Sequence, residues 1–197
     1  FLDTSMNLIK NSDKKYSQDD LEMIAYGLEG IYLTFSKLIV IFALAYLLGI
    51  LKETLILLLM YNIIRSQAFG IHATKSIYCL ISSSILFLGG ALICKYIIFP
   101  AEFLITCSLI CNVCIILYAP ADTYKRPLIN KRKRMRFKLI SSILGIIYTI
   151  IIIICHNYSI VNYLLIGMLE VVISILPVTY KIFGLPYNNY KTYKYGV

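Results

Sequence analysis

Residues 77–119 read IYCLISSSILFLGGALICKYIIFPAEFLITCSLICNVCIILYA, two apolar runs with Pro100 in the short turn between them. Each run approaches the roughly 20 residues that an α-helix needs to cross about 30 Å of hydrocarbon. Within lipid every backbone N–H and C=O must be paired inside the protein, which over unbroken runs of this length means helix. Similar runs occupy residues 31–51, 139–156 and 159–183. A further run at 54–64 is only eleven residues long, about 16 Å as helix, and spans only by borrowing the polar stretch around Arg65. The chain therefore reads as an all-α, polytopic membrane bundle of about six transmembrane helices, one of them short or re-entrant. Composition agrees, with 59% of 197 residues hydrophobic and a mean hydropathy of +0.78, unlike a soluble domain of this size.

Charge sets the sidedness. Of 19 Lys and Arg residues, eight fall between positions 122 and 138, a connection that the positive-inside rule assigns to the cytosol. Six spans with the N-terminus inside put sixteen basic residues in the cytosol and leave only Lys52 and Lys95 outside, with Lys37 in the first span. Five spans with the N-terminus outside leave four basic residues on the wrong side, so six are preferred. Either arrangement, in a cell membrane, puts residues 65–79 on the cytosolic side. The net charge of +9 is then mostly topological. Nucleic-acid binding is not expected, because no binding module surrounds the basic run. Lys131, Arg132, Lys133 and Arg134 are instead candidates for contact with anionic membrane lipid or an acidic peptide.

The chain divides into three regions. In residues 1–30, Leu21, Ile24, Ala25 and Leu28 recur at helical spacing behind Ser17, which predicts an amphipathic helix over 18–29 at the inner interface. Residues 31–183 form the transmembrane domain, with a polar break at 65–79 and a basic cytosolic loop at 120–138. From 184 onward, Pro186 and the Tyr, Asn and Lys residues predict a flexible cytosolic tail through 197.

The polar break carries the chemistry. It reads RSQAFGIHATKSIYC over 65–79, with His72 seven residues before Cys79. A thiol needs a base to become a nucleophile at neutral pH, and imidazole titrates in the right range. On one continuous helix the two would lie about 10 Å apart along the axis, beyond hydrogen-bond reach, so the helix must break between them. Gly70 supplies backbone freedom there, and Thr74 or Ser76 can cap a new helix starting near Ile77. Cys79 then falls in the first turn, where unpaired amides and the macrodipole favour thiolate. Arg65 is the nearby cation, suited to a substrate carboxylate or an oxyanion. On spacing alone, though, such a His and Cys are more often incidental than catalytic.

Elsewhere the polar residues read as structural. Cys107, Cys111 and Cys114 share a helical face without a His or carboxylate, so packing is favoured over a metal, and no metal or cofactor is expected. Glu170 lies within a span, where an acid is costly and ordinarily paired. Gly89 and Gly90 allow close helix packing or a kink.

The 65–79 segment, YAPADT at 118–123 leading into KRPL at 125–128, and LEVVISILP at 169–177 resemble, in that order, the accessory gene regulator protein B (AgrB) family. The similarity covers almost the whole chain. It implies a membrane-embedded cysteine endopeptidase of bacterial quorum sensing that processes an AgrD-type precursor peptide and works as a homodimer. His72 and Cys79 match that family's catalytic pair, and Arg65 and Gly70 match its Arg and Gly upstream of the His. The expected reaction cleaves the precursor through an acyl-enzyme thioester and cyclises it to a thiolactone or lactone. The alternative reading is a polytopic peptide exporter without thiol catalysis. A third is a scaffold whose basic loop recruits a partner.

Overall fold

The computed structural model describes residues 18–71, 76–123 and 128–192, and among these the regular structure is helical. Helix α1 (Gln18–Leu47) is one continuous element of 30 residues. The interfacial helix expected over 18–29 and the first span are therefore not separate. No proline interrupts them, and Gly27 and Gly30 each cost only about 1 kcal/mol relative to Ala.

The described residues divide between Leu44 and Ala45 into two compact units. The second contains α2 (Leu51–Ala68), α3 (Ser76–Tyr96), α4 (Ala101–Tyr118), α5 (Lys131–Ile154) and α6 (Ile160–Ile175), then short α7 (Pro177–Ile182) and α8 (Asn189–Thr192). The short run at 54–64 does borrow its polar flank: α2 continues through Arg65 to Ala68, 18 residues or about 27 Å. The run expected as one span over 159–183 is divided. Leu176 is extended, and Pro177, which has no N–H and so suits a first helical position, opens α7. The basic stretch expected as a loop through 138 is helical from Lys131. There the Asn130 side chain accepts the amides of Arg132 and Lys133 at 3.0 and 3.2 Å, a cap that offsets the unfavourable placing of cations at a helix N-terminus.

Helices α4 and α5 are long and apolar enough to cross a membrane, yet only 28% of each apolar window is buried. Phe103, Leu109 and Leu117 on α4, and Leu139, Ile147 and Ile154 on α5, point outward. A soluble protein would bury such helices. Apolar surface of this extent is stable only against hydrocarbon, and the protein is a multi-pass membrane helical bundle.

Helix α6 is its centre, packed against α2, α3, α4 and α5 with thirteen of its sixteen residues buried. The α2 contact depends on Gly167, where a Cβ would stand 3.1 Å from the Tyr61 amide nitrogen and 3.3 Å from the Met60 carbonyl carbon. Since lipid offers no hydrophobic drive for helix association, such close approach and interhelical hydrogen bonds hold the bundle. Tyr148 Oη donates to the Met60 carbonyl at 3.0 Å, and Asn162 Nδ2 to the Ile97 carbonyl at 3.0 Å. Cys111 is buried, with Cys107 and Cys114 packed beside it, the packing role read from their spacing. Of the glycine pair, only Gly90 faces the interior, where a Cβ would lie 2.6 Å from Glu170 Oε1; Gly89 meets nothing within 4 Å. Glu170 is 3% exposed, and neither carboxyl oxygen has a hydrogen-bond partner among the described residues.

Gly167→Leu is expected to lower the melting midpoint in detergent by about 5 °C, since overpacking costs roughly 1–3 kcal/mol. Gly89→Leu should leave it nearly unchanged. Equal shifts in a thermal-unfolding series would remove Gly167 from its packing role.

Candidate functional site

Helix α2 ends in a reversal held from three sides. The Phe69 amide donates to the Arg65 carbonyl at 3.0 Å and closes the helix, after which Phe69 (φ 58°) and Gly70 (φ 120°) both take positive φ. From the second side, residues 119–123 pair with the reversal. The Gly70 amide donates to the Ala121 carbonyl at 2.8 Å, and the Ala121 amide to the Ala68 carbonyl at 2.9 Å, making a parallel bridge between Phe69 and Ala121. From the third, the end of α6 receives the Ile71 amide on the Ser174 carbonyl at 3.0 Å.

Arg65 ties these together. Its Nη2 donates to the Ile71 carbonyl at 2.7 Å and its Nη1 to Ser174 Oγ at 3.0 Å. Ser174 Oγ in turn donates to the Val171 carbonyl at 2.7 Å. The guanidinium lies where a side chain on residue 70 would start: a Cβ on Gly70 would overlap Nη1 and stand 2.7 Å from the Ser174 carbonyl oxygen. Of the residues expected to act together, Arg65 and Gly70 are thus in direct apposition. The arginine is half-buried and two of its nitrogens are engaged in fixing the turn.

His72 lies outside the described residues, as does the side chain of Cys79, and so does any distance between them. The helix break that their approach requires is present between Ala68 and Ser76. Helix α3 starts at Ser76, one residue earlier than the expected capping arrangement, and carries Cys79 in its first turn. Position 75, where the cap would then fall, is outside the described residues.

A second cluster adjoins the first. Asp122 is 3% exposed, and its carboxylate accepts three backbone amides, from Asn189 at 3.0 Å, Tyr190 at 2.8 Å and Leu128 at 3.2 Å. Tyr180 Oη stands 3.1 Å from the carbonyl oxygens of both Ala121 and Asp122, so its one proton is shared between them. The Arg134 guanidinium lies over the Tyr190 ring, 3.7 Å from its centroid, while Lys131, Arg132 and Lys133 are exposed. Burial, ahead of the nearby Tyr118, Tyr190 and Asp122, raises the Tyr187 phenol above its ordinary range, and its ring meets that of Tyr180 edge-on at 5.1 Å between centroids.

The segment expected as a flexible tail from 184 is consequently folded through Thr192, with Asn189 buried at 3% exposure. Its anchor is the charge-assisted bonding of two amides to one buried carboxylate. Ser174 and Asp122 carry no motif that announces these roles. The signals in the sequence are a single acid within YAPADT and the Asn pair at 188–189.

A family profile described as Accessory gene regulator B matches residues 3–175. An AgrB-like protein of Clostridium acetobutylicum is 34% identical over 185 residues, covering 94% of this chain and 88% of its own. One from Listeria innocua is 31% identical over 189 residues, covering 95% and 92%. The accessory gene regulator protein B of a bovine Staphylococcus aureus strain is 30% identical over 155 residues, covering 79% and 82%. No solved structure matches the chain. A profile spanning most of the sequence and relatives aligned nearly end to end leave one assignment: the chain belongs to the accessory gene regulator B family.

Proposed function

We propose that the protein is a membrane-embedded cysteine endopeptidase that cleaves the C-terminal part of an AgrD-type precursor and promotes its cyclisation to a (thio)lactone autoinducing peptide for quorum sensing. The observation that carries this reading is the break between α2 and α3: it holds Arg65 against Gly70 and continues into His72 and Cys79, in a chain of this family. In the proposed topology six spans cross the bacterial cell membrane, with the break facing the cytosol, and the working unit is a homodimer.

In the proposed reaction His72 takes the Cys79 proton, and the thiolate attacks a backbone carbonyl near the precursor's C-terminus. The C–N bond breaks, His72 protonates the leaving amine, and the peptide remains as a thioester on Cys79. A Cys of the bound peptide then attacks that thioester and closes a thiolactone, releasing Cys79; a Ser would close a lactone. Thiol-for-thiol exchange keeps most of the acyl bond's free energy, whereas hydrolysis discards it. The peptide nucleophile must therefore be held close and water kept away, which a site at the membrane interface favours. Arg65 and Gly70 contribute the fixed turn from which the histidine departs, and any donor that Arg65 does not spend on Ile71 and Ser174 is open to a substrate oxygen.

The test is rapid acid quenching of membranes mixed with synthetic precursor, followed by mass spectrometry. A covalent adduct of the precursor's N-terminal fragment that hydroxylamine removes is the expected species. Vectorial peptide movement with no such adduct would favour an exporter instead.

The exposed start of α5 suits an acidic segment of the precursor or anionic lipid. Changing Lys131, Arg132 and Lys133 together to Glu is expected to raise KM about tenfold in low salt while adduct formation persists at saturating precursor. An unchanged KM would take this stretch out of peptide recognition.

A further inference from the structure

The YAPADT segment at 118–123 contains a charge that neither the spans nor the proposed chemistry uses. Asp122 is buried, and Oδ1 accepts the Asn189 amide while Oδ2 accepts those of Tyr190 and Leu128. These donors come from two separate stretches, one entering α5 and one opening α8. Its own carbonyl is also engaged, by Asn189 Nδ2 at 3.3 Å and by Tyr180 Oη. A carboxylate can accept from every side, whereas the amide of an Asn has one acceptor oxygen and turns an NH2 toward at least one of the same N–H groups.

The neighbouring residue gives this clamp its reach. Ala121 accepts the Gly70 amide and donates to the Ala68 carbonyl, and the Tyr180 hydroxyl rests on both the Ala121 and Asp122 carbonyls. One peptide unit therefore separates the carboxylate clamp from the bridge that fixes the turn running into residue 72. We propose that Asp122 is a positioning residue: by binding the C-terminal segment and the approach to α5, it holds residues 119–123 in the register that sets where the His72 loop leaves the bundle. It touches no substrate and acts entirely through the backbone of residues 121 and 70. The proposal rests on the thiol-peptidase reading for its kinetic consequence, but not for its structural one.

The test uses the full-length protein in proteoliposomes with synthetic precursor. Asp122→Asn is expected to lower kcat about tenfold while KM stays within about twofold, because a displaced base slows chemistry without weakening peptide binding. Amide exchange at Gly70 and Ile71 should quicken by about tenfold in the same variant. A chain ending at residue 187, which lacks the Asn189 and Tyr190 donors, should reproduce both effects. Combining the two changes should be no worse than either alone, as for two halves of one contact. Wild-type kcat in Asp122→Asn, or fully additive losses in the combination, would overturn the positioning role. If Asp122→Asn does not fold, the shortened chain decides, and wild-type kcat there overturns it equally. Cleavage that survives Cys79→Ala would sink the peptidase reading, and the exchange rate at Gly70 would still report on the clamp: no change there overturns the proposal whatever the chemistry.

Discussion

Cys79→Ala is expected to leave no covalent adduct and to slow precursor cleavage by at least about 10³-fold, since what remains after loss of a nucleophile is binding and polarisation alone. Cys79→Ser should fare little better, because a hydroxyl beside an imidazole sized and placed for a thiol is a poor nucleophile; no thioester mass should appear. His72→Gln separates the base from the nucleophile. An unassisted thiol with its ordinary pKa of about 8.5 is only a few per cent thiolate at pH 7, so cleavage should fall about 10²- to 10⁴-fold. That loss should shrink as pH rises through the thiol's own range, although the leaving amine still lacks its acid. Cys107→Ala serves as the control, since Cys107 packs against the core on α4. Mass spectrometry of precursor co-expressed with each variant reads all four. Normal processing in Cys79→Ala would end the thiol mechanism and return the exporter reading to the front.

The spans are legible because lipid makes one demand of every residue in them. Apolar side chains must cover about 30 Å of helix, and runs such as 101–119 and 139–156 cannot be read as much else. What that demand hides is which helix lies inside. Residues 160–175 are apolar like their neighbours, and nothing in one strip of sequence shows that α6 is surrounded on all sides. The break at Leu176 is hidden for the same reason: apolar residues continue past Pro177, and a proline can sit within a span as readily as at its end. At the polar turn the relevant types can be seen but not their partners. Arg65 stands out as a cation beside the His, yet its hydroxyl partner Ser174 is 109 residues away in the chain, brought near only by tertiary packing. The tail misleads through its composition. Tyr, Asn and Lys after Pro186 read as solvated, and a single buried carboxylate at Asp122 outweighs that tendency by holding two consecutive amides.

Gly70→Ala is the second change from which a large loss is expected, and the order of magnitude comes from two separate terms. At φ 120° any L side chain is strained, typically by about 1–3 kcal/mol. The Cβ would also overlap Arg65 Nη1 and stand 2.7 Å from the Ser174 carbonyl oxygen. The first contact is with the end of a flexible side chain, which can move, but only by giving up its bonds to Ile71 and Ser174 Oγ. The second is with the backbone of the buried central helix, which cannot retreat without disturbing α2 and α4 around it. A combined loss of about 3–5 kcal/mol in the local stability of the turn is expected, enough to unseat it in most molecules. Cleavage should fall in parallel while the melting midpoint of the bundle, set by the spans, moves much less. The double change Arg65→Ala with Gly70→Ala distinguishes the causes. The comparison is with Arg65→Ala alone, which itself gives up the bonds to Ile71 and Ser174 Oγ. If the guanidinium were the whole obstacle, adding Gly70→Ala to Arg65→Ala would cost nothing further; because φ and the Ser174 carbonyl remain, the double variant should be clearly less active than Arg65→Ala alone. Equal activity in the two would mean that the glycine is needed only to make room for Arg65. A further loss would mean that the backbone itself, pressed between α2 and α6, requires the glycine.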